Sequence, residues 1–256
     1  MRIATWNVNS VRARMERLVP WLVEQRPDVV CLQEVKCVDE LFPREPIEEL
    51  GYEIQVHGQR TYNGVAILSR VGMEDVVRGF EGDGGEARAI GATVGDVMIL
   101  NLYVVNGQEV GAEKYDHKLA WLGSLAETVR ERYGAHMDTE KVVLCGDFNV
   151  TFDDRDVYDP ERWHERILCS TPEREALAGV MAPGLTDAYR ALHEEGGAYT
   201  WWDFRTRGFS RNRGLRIDHF LMSPPALEAC SAVEIDVAAR DGKKPSDHAP
   251  VMATFA

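Results

Sequence analysis

The chain has 256 residues, enough to bury a large core, and its 45% hydrophobic and 28% charged residues are ordinary for a globular protein. Its net charge of −13 excludes a generic polyanion binder, which is basic overall, but not a local basic face, because charges act within a Debye length of about 8 Å. No apolar run is long enough for a membrane span, the N-terminus shows no signal-peptide layout, and Cys31, Cys37, Cys145, Cys169 and Cys230 form no C-x-x-C pair, so buried thiols in a cytoplasmic, reducing compartment are expected.

The first strand, residues 2–6, delivers Asn7 at its end. A helix over 15–25 follows, in which Pro20 should kink or split the backbone. Strand 29–32 leads to Glu34, and a helix over 43–50 has Pro43 in its first turn and Gly51 as its cap. Strands at 53–56, 64–69, 88–94 and 97–104 come next, the last carrying Tyr103 near its end. A long helix over 112–132 places Leu119, Leu122, Leu125, Ala126 and Val129 at helical period.

The run 141–145 is apolar enough to be a strand buried on both faces, and it turns through Gly146 onto Asp147 and Asn149. In extended chain, residues two apart point the same way, so this carboxylate and amide could serve one substrate atom; an Asx turn closing the strand is the plain alternative. Helices over 171–178 and 186–192 precede a strand over 215–222 that Asp218 interrupts. Strands at 232–235 and 251–255 follow, the second preceded by Asp247 and His248. Hairpin-like and helix-crossover links together imply an α/β fold, a four-layer sandwich of two packed mixed β-sheets flanked by helices, with residues 1–256 as a single domain. The stretch 143–149 echoes 3–9, an apolar strand ending in a polar pair.

Polar residues therefore gather at strand ends: Asn7, Glu34, Tyr103, Asp147 with Asn149, Asp218, and Asp247 with His248. Each alone has a structural reading, and their coincidence favours a shared crevice. Asp218 in an apolar strand needs a donor, and His248 suits it; the pair fixes the imidazole's tautomer and favours its protonated form. His219 should face away, and His57, His117, His136, His164 and His193 read as surface residues. Glu34, Asp147, Asp247 and the amides form an oxygen-rich set that excludes a structural zinc site and suits Mg²⁺, with Mn²⁺ as an alternative, for hydrolysis of a phosphate ester. The region 201–218 carries Arg205, Arg207, Arg211, Arg213 and Arg216 among Trp201, Trp202, Phe204 and Phe209, a candidate basic face. Trp202 itself reads as core.

In order along the chain stand W-N-V-N at 6–9, L-Q-E at 32–34, N-L-Y at 101–103, G-D-F-N at 146–149, N-R-G-L-R-I-D at 212–218 and S-D-H-A-P-V at 246–251. This series resembles the exonuclease III family of apurinic/apyrimidinic endonucleases, within the DNase-I-like metal-dependent phosphodiesterases. D-R-D-V-Y-D-P at 154–160 and T-W-W-D at 200–203 are similar to its bacterial branch. The resemblance implies a Mg²⁺-dependent DNA repair nuclease that incises double-stranded DNA 5′ to abasic sites and removes 3′ blocking groups or nucleotides; a monomer without a membrane partner is the accompanying expectation. The resemblance further implies Glu34 as the main metal ligand, with Asn7, Asp147, Asn149, Asp247 and His248 at the metal or its shell. Asp147 would activate water, Asn149 and His248 would stabilise the phosphorane, Asp218 would buttress His248, and Tyr103 would touch the phosphate. Trp201, Leu215 and Ile217 match the family's pocket for a flipped-out abasic sugar, Asn212 a phosphate contact, and Arg205, Arg207, Arg211 and Arg213 would hold the backbone. Departures lie at Leu215, where mammalian-type members have Trp, at Asn9, where some have Asp, and at Val105 and the Thr151-Phe152 pair. A sister phosphodiesterase acting on a non-DNA phosphoester, or a catalytically weak DNA-binding protein on the same fold, are the competing readings.

Overall fold

The computed structural model describes residues 1–256. Its strands are β1 (Arg2–Asn7), β2 (Val29–Gln33), β3 (Glu53–His57), β4 (Val65–Ser69), β5 (Glu74–Arg78), β6 (Ala89–Val94), β7 (Val97–Tyr103), β8 (Lys141–Asp147), β9 (Thr186–Asp187), β10 (Asp218–Met222), β11 (Cys230–Ile235) and β12 (Val251–Phe255). The helices are α1 (Val11–Gln25), α2 (Glu45–Glu48), α3 (Glu113–Tyr133), α4 (Pro160–Trp163), α5 (Thr171–Met181), α6 (Ala188–Leu192) and α7 (Pro224–Ala229).

Two six-stranded sheets result, in the orders β11-β12-β1-β2-β4-β3 and β5-β6-β7-β8-β10-β9. Each is antiparallel apart from one parallel pair near its middle, β1 with β2 and β7 with β8. β1 also pairs antiparallel with β12, Ile3 opposite Ala253. Alternation along each strand then fills three apolar layers. Ile3, Val29, Ile67, Ile99, Val143 and Phe220 meet between the sheets. Leu102, Val142 and Leu144 face outward onto Trp121, Leu122 and Leu125 of α3 and Leu177 and Val180 of α5. Ala4, Trp6, Val30 and Leu32 face outward onto Leu18, Trp21 and Leu22 of α1. Both faces of the central strands are covered, which is why they read as unbroken apolar runs. The expected four-layer α/β sandwich is the fold.

Several expectations need correction. Pro20 does not split α1, which runs without interruption from residue 11; the proline lies on the exposed side, where water can serve the carbonyl it leaves without a partner. The expected strand over 215–222 begins only at Asp218, and Thr186–Asp187 is a short strand before α6 rather than helix. Edge strand β5 has no buried residue and so no apolar signal to find. His57 is no free surface side chain, since its Nδ1 sits 3.0 Å from the Ala89 carbonyl.

Candidate active site

Strand register gathers the site. On β7, β8 and β10, Tyr103 stands opposite Asp147 and Asp147 opposite Asp218. On β1 and β2, Asn7 stands opposite Gln33, one residue before Glu34. The facing sheets are braced just beneath by two buried amides: Gln33 donates to Thr5 Oγ1 at 2.9 Å and to Asn101 Oδ1 at 2.6 Å, while Asn101 donates to the carbonyls of Leu32 and Ala66. These are the middle of L-Q-E and the start of N-L-Y, and their work is to fix the distance between the two rims.

Gly146 makes the second rim possible. Its φ is +140° and a Cβ built there would lie 1.9 Å from the Leu102 carbonyl oxygen, so no other residue allows β8 this close to β7. The strand passes through Gly146 and does not turn there; the turn comes at Asn149, with φ 49°. The chain is therefore not extended through Asn149, the premise on which Asp147 and Asn149 were expected to point the same way. An Asx turn forms instead, the Asn149 N–H donating to Asp147 Oδ1 at 2.9 Å. The Asn149 amide donates to the Val104 carbonyl at 3.0 Å and its oxygen accepts from Asn106 Nδ2 at 3.0 Å.

Asn7 is the joint between the sheets, its Nδ2 donating to Glu34 Oε1 at 2.9 Å and to Asp147 Oδ2 at 2.8 Å. His248 Nδ1 lies 2.8 Å from Asp218 Oδ2, leaving Nε2 directed at Asp147 Oδ2, 3.7 Å away. Burial works against a charged imidazole, but Asp218 and then Asp147 outweigh it and push the His248 pKa up to about 10. Burial raises Asp147 to about 7, against the pull of His248. Burial first, then Glu34 and Asp147, hold the Tyr103 phenol well above its usual range, so it is a donor at neutral pH. Asp247 is separated from this cluster by its own donors, Asn9 Nδ2 at 2.9 Å and Trp201 Nε1 at 3.1 Å, and with His248 beside it its carboxyl stays below the ordinary value despite burial.

One carboxylate oxygen each from Glu34 and Asp147 and one ring nitrogen of His248 lie within 4.8 Å of one another. Two carboxylates converging in one pocket, with burial disfavouring the charge of Asp147, call for a cation, and the oxygen-rich set fits a hard divalent ion rather than zinc. Lys36 shares this ground, its Nζ 2.7 Å from Glu34 Oε2 and 2.6 Å from Asn9 Oδ1.

Sequence reasoning missed Lys36, Asn106 and Lys118. Lys118 is fully buried in α3 and donates to the Asn149 carbonyl at 2.6 Å and to Glu173, so a buried ion pair supports the turn that carries Asn149. Its signal was present: Lys118 falls on the helical face of Leu122, Leu125 and Val129, the wrong place for an unpaired lysine. Arg216 reads as one more basic residue of the loop but is buried, with bidentate bonds to Asp156 at 2.7 and 2.8 Å and bonds to Asp187 and His219. Arg205, Arg207, Arg211 and Arg213 are exposed, as is Asn212, which takes a left-handed φ of 47°. Trp202 is buried as expected. Leu215 and Ile217 are 0% and 1% exposed, packed on Val157, Leu168 and Cys169, with half-buried Trp201 over them. His219 faces away from Asp218, toward Phe148 and Phe152.

A neutral phenol, a charged imidazole and a carboxylate poised near neutrality, ringed by oxygen ligands, serve attack of water on a phosphoester, and paired sheets with the reactive groups on one rim are the frame of the DNase-I-like phosphodiesterases. The chain belongs to the Endonuclease/Exonuclease/phosphatase family, which it matches over residues 4–248. It is 35% identical to exodeoxyribonuclease III of Haemophilus influenzae, with 100% of both chains covered. A 3′-phosphatase from Neisseria, NExo, bound to a product DNA hairpin superposes with a TM-score of 0.96 at 43% identity, covering 100% of this chain and 99% of that one. An AP endonuclease from Archaeoglobus fulgidus does so with a TM-score of 0.94 at 34% identity and the same coverage.

Proposed function

We propose that this chain is a Mg²⁺-dependent DNA repair nuclease that hydrolyses phosphodiester bonds in double-stranded DNA, cutting 5′ to abasic sites and clearing 3′ blocking groups or nucleotides. The observation that carries the reading is the convergence on Asp147. Asn7 holds Oδ2 of the carboxylate from the opposite sheet, the Asn149 N–H fixes Oδ1, and His248 Nε2 stands 3.7 Å from Oδ2.

Glu34 and Asp147 would hold the divalent ion, with Asn7 bonded to both, Asn149 and Asp247 at the margin, and charged His248 in the surrounding shell rather than on the metal. A bound cation supplies Lewis-acid charge opposite the phosphate oxygens. Asp147 accepts the proton of the attacking water as general base, a contribution of roughly 10²–10⁴-fold. Charged His248 and protonated Tyr103 donate to the phosphoryl oxygens as negative charge builds there, the larger effect in a preorganised site. Asp218 keeps His248 charged and its ring oriented, with Nε2–H free to donate. The exposed arginines 205, 207, 211 and 213 supply the local positive surface that a chain of net charge −13 needs to approach DNA. A monomer in the cytoplasm is the accompanying proposal; no helix is long and apolar enough to cross a membrane, and all five cysteines are free.

One observation favours a narrower second reading, an enzyme mainly of 3′ ends. Leu215 and Ile217 have almost no accessible surface, so they can floor a sugar pocket but leave little depth for a flipped-out residue. One gel separates the cases: duplexes bearing an abasic site, a 3′-phosphate, a recessed 3′ hydroxyl or no lesion, each with Mg²⁺, Mn²⁺ or EDTA. Absence of metal-dependent cleavage on all of them refutes nuclease function. Cleavage of the 3′ substrates alone selects the second reading.

A further inference from the structure

The loop from Asp203 to Arg213 carries four exposed arginines, yet it makes few connections to the body of the protein. Its backbone hydrogen bonds close on themselves: Gly208 to Asp203, Arg207 to Phe204, Arg211 to Gly208, Asn212 to Phe209 and Arg213 to Gly208. Its side-chain hydrogen bonds also stay local, to Asp203, to Arg207 and between Asn212 and Trp202. A self-contained loop of like charges repels itself and has no ladder to hold it down.

A buried guanidinium lies beneath it. The carbon at the centre of the Arg240 fork is 4.8 Å from the Phe209 ring centroid, 5.1 Å from Phe204 and 5.7 Å from Trp202. Trp202 and Phe209 meet edge to face at 5.1 Å, so the rings form one wall around the cation. Arg240 is 5% exposed, while Phe204 at the loop's outer side is 45% exposed. Nη1 of Arg240 donates to the Ser246 carbonyl. Ser246 in turn donates through Oγ to the Asn7 carbonyl at 2.6 Å and accepts from the His248 N–H at 3.2 Å. The short turn that bears Arg240 is itself tied to α1, where Arg17 donates to the carbonyls of Ala239 and Asp241.

From this geometry we infer that Arg240 is a positioning residue, which fastens the arginine-bearing loop to the frame that holds Asn7 and His248 and so sets where bound DNA lies relative to the site. The inference rests on the nuclease reading for its DNA part only. A guanidinium can lie over three ring faces as a cation and still donate in its own plane; a lysine in its place keeps the cation but loses the fork. Arg240 touches no reacting group. Its loss therefore weakens the seating of substrate while leaving the bonds among Asn7, Asp147 and His248 in place.

The test uses R240M and R240K in the full chain, with circular dichroism to establish that each is folded. Trypsin cuts after arginine, and Arg205, Arg207, Arg211 and Arg213 are already exposed, so release of the loop frees the backbone beside them to enter the protease. R240M should be nicked between residues 205 and 214 at least about tenfold faster than wild type, and its KM for duplex substrate should rise about tenfold, equal to about 1.4 kcal/mol, with kcat within about threefold. R240K should recover part of both losses and stands as the test if R240M does not fold. Unchanged tryptic rates in the variants overturn the inference, and so does a fall in kcat at constant KM, which would tie Arg240 to the reacting groups. If wild-type protein proves inert on DNA, the nuclease reading fails by itself and the tryptic rates still judge the anchor.

Discussion

Replacing Asp218 with Asn removes one charge and almost no volume, and the consequence can be worked from the pair it forms with His248. Both side chains are buried, their contact is 2.8 Å, and the second carboxylate near the imidazole, Asp147, is 3.7 Å away. Breaking one partner of a buried pair costs about 3–5 kcal/mol. Linkage gives the same order, because His248 rises from its ordinary 6.5 to about 10, at about 1.4 kcal/mol per unit, and Asp218 shares that effect with Asp147. The sign is set by a folded pKa above the unfolded one: the stabilisation is fully present below about pH 6.5 and is lost as pH rises through 10. Metal-free wild type and D218N should thus differ by about 3–5 kcal/mol in urea denaturation at pH 6 and converge toward pH 10. A difference that stays constant from pH 6 to pH 10 refutes the charged-pair account. In activity, D218N should lose about 10²-fold in kcat with little change in KM, since the imidazolium acts on charge that develops in the transition state.

Gly146→Ala forces a methyl group toward the Leu102 carbonyl, 1.9 Å away, at a left-handed φ; a loss of about 3 kcal/mol or more in stability, read by thermal melting, should accompany loss of cleavage. Arg216→Met leaves Asp187 without its charged partner and Asp156 with Arg190 alone, and should cost about 3–5 kcal/mol in denaturation, while leaving the salt dependence of DNA binding in the folded fraction unchanged. The paired change Arg205→Ala with Arg207→Ala should do the reverse, lowering the slope of log affinity against log salt by about 2 without a stability change above about 0.5 kcal/mol. Asp147→Asn should retain DNA binding and abolish Mg²⁺-dependent cutting on the gel; cleavage at wild-type rate would remove Asp147 as base.

The layered fold was legible because both sheets are covered on two faces, and Val29–Gln33 or Lys141–Asp147 can hardly be anything but central strands. The rim was legible where a polar residue broke such a run, as Asp218 does, because a buried carboxylate demands a partner. Backbone sign was not: nothing in G-D-F-N states that Asn149 takes φ 49°, so the extended chain before it was wrongly carried on through Asn149. Partnership across long separations was equally hidden. Arg216 lies beside four exposed arginines in sequence, but its carboxylates come from positions 60 and 29 residues away, and only the folded chain brings them within reach. Lys118 shows the intermediate case, a charge on an apolar helical stripe that could have been flagged without its partner Glu173 being known.

The pairing of β1 with β12 carries a consequence for the order in which the molecule becomes active. Asn7 lies 239 residues before Ser246, and β12, which completes its sheet on that side, follows later still. A nascent chain can assemble β5 to β10 and their helices from contacts nearer in sequence, while β1 waits with one edge open and Ser246 not yet there to hold the Asn7 carbonyl. Asp147 can be in place on its strand well before His248 exists. Hydrolytic competence should therefore appear in a single late step, and fragments that stop short of β12 should be inert however well their second sheet folds.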